Sequence, residues 1–482
     1  FLLFNVSDDI EPGLKVVKIA NATLPSYEIY KLKPFLKRID SCQVVLNQVL
    51  FTDTIRVGDS YIIVAPSQIG KPIFYYKKQF VNLRSISNQT DYIAITHPKF
   101  LQTANNYINS ISTKYEVSKD LISVEDIFDE FSFGYSQPEA IRLFTAVTYQ
   151  NRIEPKPSYL SLIGDADYDY KLYRFKADGV KGGGNYVPSF GNPVSDNWLV
   201  IWDESGLPIP QMKVGRIPIN SNEELDYYFS KVENNFNERF DEWNKRYMFF
   251  SGGTADNPSQ MAQLKAVNDQ IINDLIKPIP LSGSYTHFYK TINPLSDFGP
   301  FTSEQVSNAI DEGSVFISYL GHSGTATWDN SINETIQLKN KVNRNPLITD
   351  FGCSTNKFAE PDIVAFGERF LLNNDGQALG YIGNSSLGFT TTSFALPIYF
   401  YEDMLNSETK EVGNAHLLSK IRMFQNLGTS EVFRLYALTN TLIGDPAIRI
   451  KIPNQPNLKI SSSDVLLSNN FLNDGEDSTE IK

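Results

Sequence analysis

The chain has 482 residues, 41% hydrophobic and 20% charged, with a formal net charge of −12. That length exceeds one ordinary domain, and the composition is that of a folded, water-soluble chain. The negative balance argues against nucleic acid and anionic membrane surfaces as partners, and no apolar run reaches the roughly 18 residues that span a bilayer. The two cysteines, Cys42 and Cys353, make no disulfide framework and say nothing about compartment.

Residues 1–87 read as β. GLKVVKIA, YEIYKL, VVLNQVLF, DTIRV and SYIIVAP are short runs parted by turn residues, several alternating apolar and polar, as in an Ig-like sandwich. The chain opens inside an apolar run, with no signal peptide visible at Phe1, and reads as a piece of a longer protein. From residue 88 the pattern changes. DYIAITHP is a buried strand, KFLQTANNYINSISTKY a helix, EVSKDLISV a second strand, PEAIRLFTAVTYQ a helix and PSYLSLIGD a third strand. Strands alternating with helices predict a doubly wound parallel sheet. His97, just before Pro98, reads as a helix cap.

The third strand runs into Asp165, Asp167 and Asp169. Three carboxylates at alternate positions could take a structural Ca²⁺, although Tyr170 and Lys176 stand where an EF-hand loop needs Gly and Glu. Capping of the following turn, or orientation of a histidine by Asp165, are the other readings. Residues 171–213 are rich in Gly, Pro and Asn and read as an active-site loop. Asp196 lies in it, before a predicted strand at NWLVIW. NSNEELDYYFSKVENNFNERF predicts a helix with a solvated face. A first α/β half, 88–246, gives way to a second, 247–453. In that half His287 reads as a paired surface residue and His416 as facing solvent. Residues 454–482 read as a linker and the start of a further β domain.

The second half is organised around residues 314–358. Val315–Leu320 and Pro346–Ile348 predict two buried strands, with a crossover helix over Asn333–Asn343, so the strands should be parallel. His322, in Gly321-His322-Ser323-Gly324, and Cys353 then both lie just past the carboxyl ends of neighbouring strands, where open α/β sheets keep their sites. An imidazole beside a thiol both takes its proton and stabilises the thiolate. The competing reading is a buried, inert cysteine and a capping histidine.

GHSGTATW, DFGCSTNKFAEPDIVAFGERF and GQALGYIGNSSLGFTTT, with DYIAITHPKF, PSYLSLIGDADYDY and MKVGRIPI upstream, resemble the gingipain family of cysteine peptidases over about residues 88–453. The resemblance is strongest to the sortase-type members that serve type IX secretion in Bacteroidetes. It implies a caspase-like sheet, His322 and Cys353 as a catalytic dyad, and an oxyanion site of backbone N–H groups at Cys353 and at Ser323 or Gly324. The family usually has Gly where this chain has Ser323. It also implies that Asp196 is in a pocket for a basic side chain; the rival reading is an Asx turn. Lys181-Gly182-Gly183-Gly184 carries no acid where the family has one near the histidine, which favours a dyad over a triad. Asn384 and Ser385, after the next strand, would line the cleft, and Trp328 and Phe389 would pack against substrate or belong to the core.

Three functions compete: an endopeptidase, a transpeptidase in which an amine resolves the acyl-enzyme, and a non-catalytic secretion-system component. The enzymatic readings need no cofactor. They imply a protein or peptide substrate, an extracellular or cell-surface location with outer-membrane association, and type IX secretion components as partners. Neither a zinc-peptidase motif nor a phosphate-binding loop is present.

Overall fold

The computed structural model describes residues 1–71, 73–74, 77–169, 184–203, 206–328, 340, 344–373, 378–455 and 464–465. They form two compact units, residues 1–79 and 80–482. The expected crossover helix over Asn333–Asn343, most of the Gly-rich loop and nearly all of residues 456–482 lie outside the described residues.

The first unit holds seven strands: β1 (Leu2–Asn5), β2 (Gly13–Ala20), β3 (Glu28–Lys33), β4 (Lys37–Ile39), β5 (Gln43–Val45), β6 (Gln48–Ile55) and β7 (Ser60–Val64). They pair as two antiparallel sheets, β1-β7-β3-β4 and β2-β6-β5. Strand β6 alternates strictly along its second half, with Phe51, Asp53 and Ile55 buried and the residues between exposed. Val49, Phe51 and Ile55 share one core with Ile29, Tyr61 and Ile63 of the other sheet. This is a small sandwich.

The second unit is built on one ten-stranded sheet. Its strands are β8 (Tyr92–Thr96), β9 (Lys119–Ser123), β10 (Tyr159–Ile163), β11 (Lys213–Ile217), β12 (Arg246–Ser251), β13 (Ser284–Tyr289), β14 (Phe316–Leu320), β17 (Leu347–Asp350), β18 (Gly380–Asn384) and β19 (Asn440–Ile443). A two-residue hairpin, β15 (Ser323–Gly324) with β16 (Thr327–Trp328), lies between β14 and β17. The spatial order is β13-β12-β14-β17-β18-β19-β11-β10-β8-β9. All neighbours are parallel except β18 and β19. Strand β19 therefore joins the two halves, running against β18 and along β11.

The helices α1 (Leu101–Tyr115), α2 (Val124–Phe131), α3 (Pro138–Asn151), α4 (Asn222–Asn237), α5 (Pro258–Ile271), α6 (Ser303–Glu312), α7 (Phe366–Leu372), α8 (Thr390–Asn406), α9 (Val412–Leu427) and α10 (Glu431–Thr439) cover both faces. Along β8, Tyr92 and Ala94 enter a core with α1 and α4, whereas Ile93 and Ile95 enter another with α2 and α3. Burial on both faces is why these strands read as unbroken apolar runs.

Two expectations are corrected here. NWLVIW does not make a strand; Asn197–Val200 is one turn of 3₁₀ helix. Helix α4 is amphipathic as expected, with Leu225, Tyr228 and Val232 buried on one face, where Lys231 also donates from Nζ to the Leu371 carbonyl at 2.5 Å. His416 does not face solvent. It is 4% exposed on α9, with Nε2 2.8 Å from Asn440 Oδ1.

Gly215, in β11 at the join with β19, has no room for a side chain: a Cβ there would strike the Gly444 carbonyl oxygen and lie 2.8 Å from Pro446 Cδ. Gly215→Ala should lower the urea midpoint by an amount equivalent to ~1–3 kcal/mol through overpacking. A parent-like midpoint in urea denaturation would contradict this join.

Candidate active site

His322 lies two residues beyond β14 and Cys353 three beyond β17, at the carboxyl ends of two paired parallel strands. Both line one cleft of about 80 Å³, together with Gln260, Gly321, Gly388, Phe389 and Thr390. No hydrogen bond joins the two. The His322 Nε2 atom is 3.0 Å from Gln260 Oε1. With the amide oxygen as acceptor the ring donates through Nε2, so the lone pair of the neutral ring is on Nδ1. The Tyr319 hydroxyl donates to the His322 carbonyl at 2.5 Å, fixing the turn that carries the ring.

The Cys353 thiol is half-buried. Its Sγ accepts the Gly388 N–H at 3.3 Å. Burial pushes the thiol pKa up, the Gly388 N–H lowers it, and the Asp350 charge raises it further. Ser354, the next residue, is held at φ 61°, in the left-handed region, by its N–H bonding the Ser386 carbonyl at 2.8 Å. A left-handed serine costs of order 1–3 kcal/mol and persists only where its surroundings impose it.

Beneath the cleft is a carboxylate that the sequence reading passed over. Asp350, the last residue of β17, is fully buried. Its Oδ1 accepts from the Gly352 N–H (2.6 Å) and the Ser323 hydroxyl (3.2 Å). Its Oδ2 accepts from Trp328 Nε1 (3.0 Å), the Thr355 hydroxyl (2.9 Å) and the Tyr381 hydroxyl (3.1 Å). Burial pushes its pKa up to about 6 against these five donors. Gly352 is required beside it, since a Cβ there would collide with Ser323 Oγ and come within 2.8 Å of Asp350 Oδ1.

The remaining predicted residues divide sharply. Gly321 lines the cleft. Gly324 pairs with Thr327 in the hairpin below it. Trp328 is fully buried, stacks on Tyr319 at 4.6 Å and donates to Asp350, so it belongs to the core. Asn384 is also fully buried, its Nδ2 donating to the Gly352 carbonyl at 2.6 Å. Ser385 donates to the Val194 carbonyl at 2.6 Å. Phe389 lines the cleft.

Asp196 is 3% exposed, and both its oxygens are clamped by Arg216, from Nε and Nη2 at 2.7 Å each. It is absent from the cleft, and no oxygen is left for a substrate cation. Asp165 accepts from the Ala166 N–H at 2.8 Å and from Asn220 Nδ2 at 3.0 Å, and Asp167 accepts from the Asp169 N–H at 2.8 Å. Among the described residues no group of three or more His, Cys, Asp or Glu is placed to hold a metal ion. His97 accepts from the Lys99 N–H at 3.2 Å as a cap.

His287 departs from the surface role expected for it. Ser251 Oγ is 2.8 Å from its Nε2, and Asp269 Oδ1 is 3.1 Å from its Nδ1. Those are the distances of a Ser–His–Asp triad, but Ser251 is 1% exposed and also accepts from Asn268 Nδ2 at 2.9 Å. A nucleophile that no substrate can reach is structural, and burial drives the His287 pKa down to about 4, against the nearby Asp269.

Gln260 and Asp350 were missed by the sequence reading. Gln260 is the third residue of α5, nine residues past the end of β12, too far along for a strand-end pattern to flag it. Asp350 closes an apolar strand three residues before the thiol, where a buried carboxylate demands partners.

A parallel sheet wound on both faces, with a thiol and an imidazole at adjacent carboxyl ends, is the architecture of the caspase-like cysteine peptidases. The sequence profile of peptidase family C25 matches residues 85–451, and the chain belongs to that family, the gingipains. Among solved structures, it is similar to the Arg-specific cysteine proteinase gingipain R (15% identity, 75% of this chain and 78% of that one, TM-score 0.57). It is also similar to the complex of the RgpB pro- and mature domains from Porphyromonas gingivalis (16%, 75% and 80%, TM-score 0.56). These likenesses establish the fold. Dimeric latent PorU from the same organism matches over 48% of this chain and 24% of its own (17%, TM-score 0.39), too partial to argue from. No curated protein matches in sequence. Among the described residues no helix is long and apolar enough to cross a membrane.

Two expected outcomes follow from this geometry. Asp196→Ala should destabilise the fold by ~3–5 kcal/mol, because it strands the buried Arg216 charge; guanidinium unfolding measures it, and a loss under ~1 kcal/mol, typical of surface pairs, would contradict the clamp. Cys353 should react with iodoacetamide only at more alkaline pH than an open cysteine, since burial and the Asp350 anion both oppose the thiolate. Asp350→Asn removes that anion and should move the labelling profile to lower pH. Mapping the labelled peptide separates Cys353 from Cys42, and an unmoved profile would exclude Asp350 as a cause.

Proposed function

We propose that this chain is a gingipain-type cysteine peptidase, or a transpeptidase built on the same site, acting on secreted proteins at the cell surface. The observation that carries it is the placing of His322 and Cys353 on one cleft at adjacent strand ends. Cys353 loses its proton to His322 Nδ1, and the thiolate attacks the peptide carbonyl. The C–S bond forms as the carbonyl π pair moves to oxygen. The protonated ring then gives its proton to the leaving amine. Gln260 holds the ring through Nε2 during both transfers.

Water resolving the acyl-enzyme gives hydrolysis, and an amine gives transpeptidation. The sortase-like form, attaching secreted proteins within type IX secretion, is the specific role we propose on the motifs GHSGTATW and DFGCSTNKF.

Cys353→Ala in a folded protein should lower turnover of a peptide library by at least ~10³-fold, as removal of a nucleophile does. Mass spectrometry of the products, with and without an added amine, separates the two resolving steps. Parent-like turnover in the alanine variant would end the peptidase reading. An amine-independent product pattern would end the sortase form.

A further inference from the structure

The backbone N–H of Cys353, expected as an oxyanion donor, is already engaged. It donates to Ser323 Oγ at 2.6 Å. The same hydroxyl lies 2.9 Å from the Cys353 carbonyl oxygen and 3.2 Å from Asp350 Oδ1, with one hydrogen for two acceptors. It packs directly over the Gly352 Cα, where a Cβ would collide with it.

The peptide cannot turn away from this contact. Asn384 Nδ2 holds the Gly352 carbonyl at 2.6 Å, and in a planar trans peptide the N–H points opposite to the C=O. Asn384 is itself fixed by Asn440 Nδ2 at 2.9 Å. The backbone of Ser323 is held too, paired with Trp328 in the β15–β16 hairpin. What remains free to move is the Ser323 side chain, by rotation about one bond.

We infer that Ser323 is a gate on the oxyanion site: its hydroxyl occupies the Cys353 N–H in the resting enzyme, and a substrate carbonyl oxygen must displace it before attack. This rests on the peptidase reading above and deepens it. When the thiolate adds to the carbonyl, the oxygen that takes the π pair needs this N–H, and no second acceptor can share it at full strength. The gate therefore couples reactivity to the seating of a well-placed peptide. A glycine at 323 would leave the donor open at all times.

Peptide aldehydes test it, because the thiol adds to the aldehyde carbonyl and leaves its oxygen in the oxyanion site. Acetyl-tripeptide aldehydes with basic, apolar and acidic terminal residues would be titrated against the full 482-residue chain and its Ser323→Gly, Ser323→Ala and Ser323→Thr variants. Iodoacetamide labelling of Cys353, which forms no oxyanion, reports an intact and accessible thiol. The gate predicts aldehyde binding about ten-fold tighter in the glycine and alanine variants, the worth of one displaced hydrogen bond, and parent-like binding with threonine. The alanine variant carries the test should the glycine variant not fold. Equal or weaker binding in the variants without a hydroxyl overturns the gate while leaving the peptidase reading standing. Aldehyde binding to none of the four, with Cys353 still labelled, overturns the peptidase reading and the gate together.

Discussion

The site depends on burying one carboxylate. Asp350 has no access to solvent, and a lone ion there would cost several kcal/mol. Five donors offset that cost, and they come from every part that must be aligned: the hairpin through Trp328, the histidine turn through Ser323, the nucleophile turn through the Gly352 N–H and Thr355, and the next strand through Tyr381. Two of these donors share Oδ1 and three share Oδ2, so the one carboxylate ties all of these parts together. The two catalytic turns are thus referenced to a common point inside the core rather than to each other. This suits a pair of residues that share a cleft without a direct hydrogen bond.

That arrangement has a chemical consequence. The anion that orders the turns also opposes ionisation of the nearby thiol, and burial acts in the same direction. The resting site therefore favours a neutral thiol, in a cleft it shares with an imidazole whose Nε2 is held by Gln260. Proton transfer from sulfur to nitrogen has to accompany attack, so reactivity is assembled with substrate in place rather than stored as a standing thiolate.

The positions of His322 and Cys353 were legible because their signal is local: an apolar run, then glycine, at a strand's end. The doubly wound sheet was legible for the same reason. Strand order was not. Nothing in NTLI announces that β19 runs antiparallel to β18 and joins the halves, since a run of four looks the same in either direction. Asp196, Asn384 and Ser385 were legible as polar residues near the ends of expected strands, but their partners are remote: Arg216 is 20 residues on, Asn440 is 56 residues from Asn384, and Val194 is 191 from Ser385. Those bonds turn apparent substrate contacts into struts. His416 misled in the same way, because its partner Asn440 is on another element. Local pattern marks where a polar group lies along an element; only packing decides whether it faces a ligand or a neighbour.

Magnitudes decide whether a closed oxyanion site is compatible with catalysis. The Ser323 hydroxyl trades hydrogen bonds that are worth about 0.5–1.5 kcal/mol each in net terms. A donor aimed at a developing oxyanion is worth about 2.7–4 kcal/mol in the transition state. Displacing the hydroxyl costs less than the charge stabilisation it releases, so the gate opens for a carbonyl about to become an oxyanion. A water or a poorly placed amide brings only a neutral acceptor of the same strength as the serine and gains nothing by the exchange. The released hydroxyl keeps an acceptor in Asp350 Oδ1, 3.2 Å away in the closed state, so rotation need not leave it stranded. The buried carboxylate that aligns the two turns is also what makes the gate reversible.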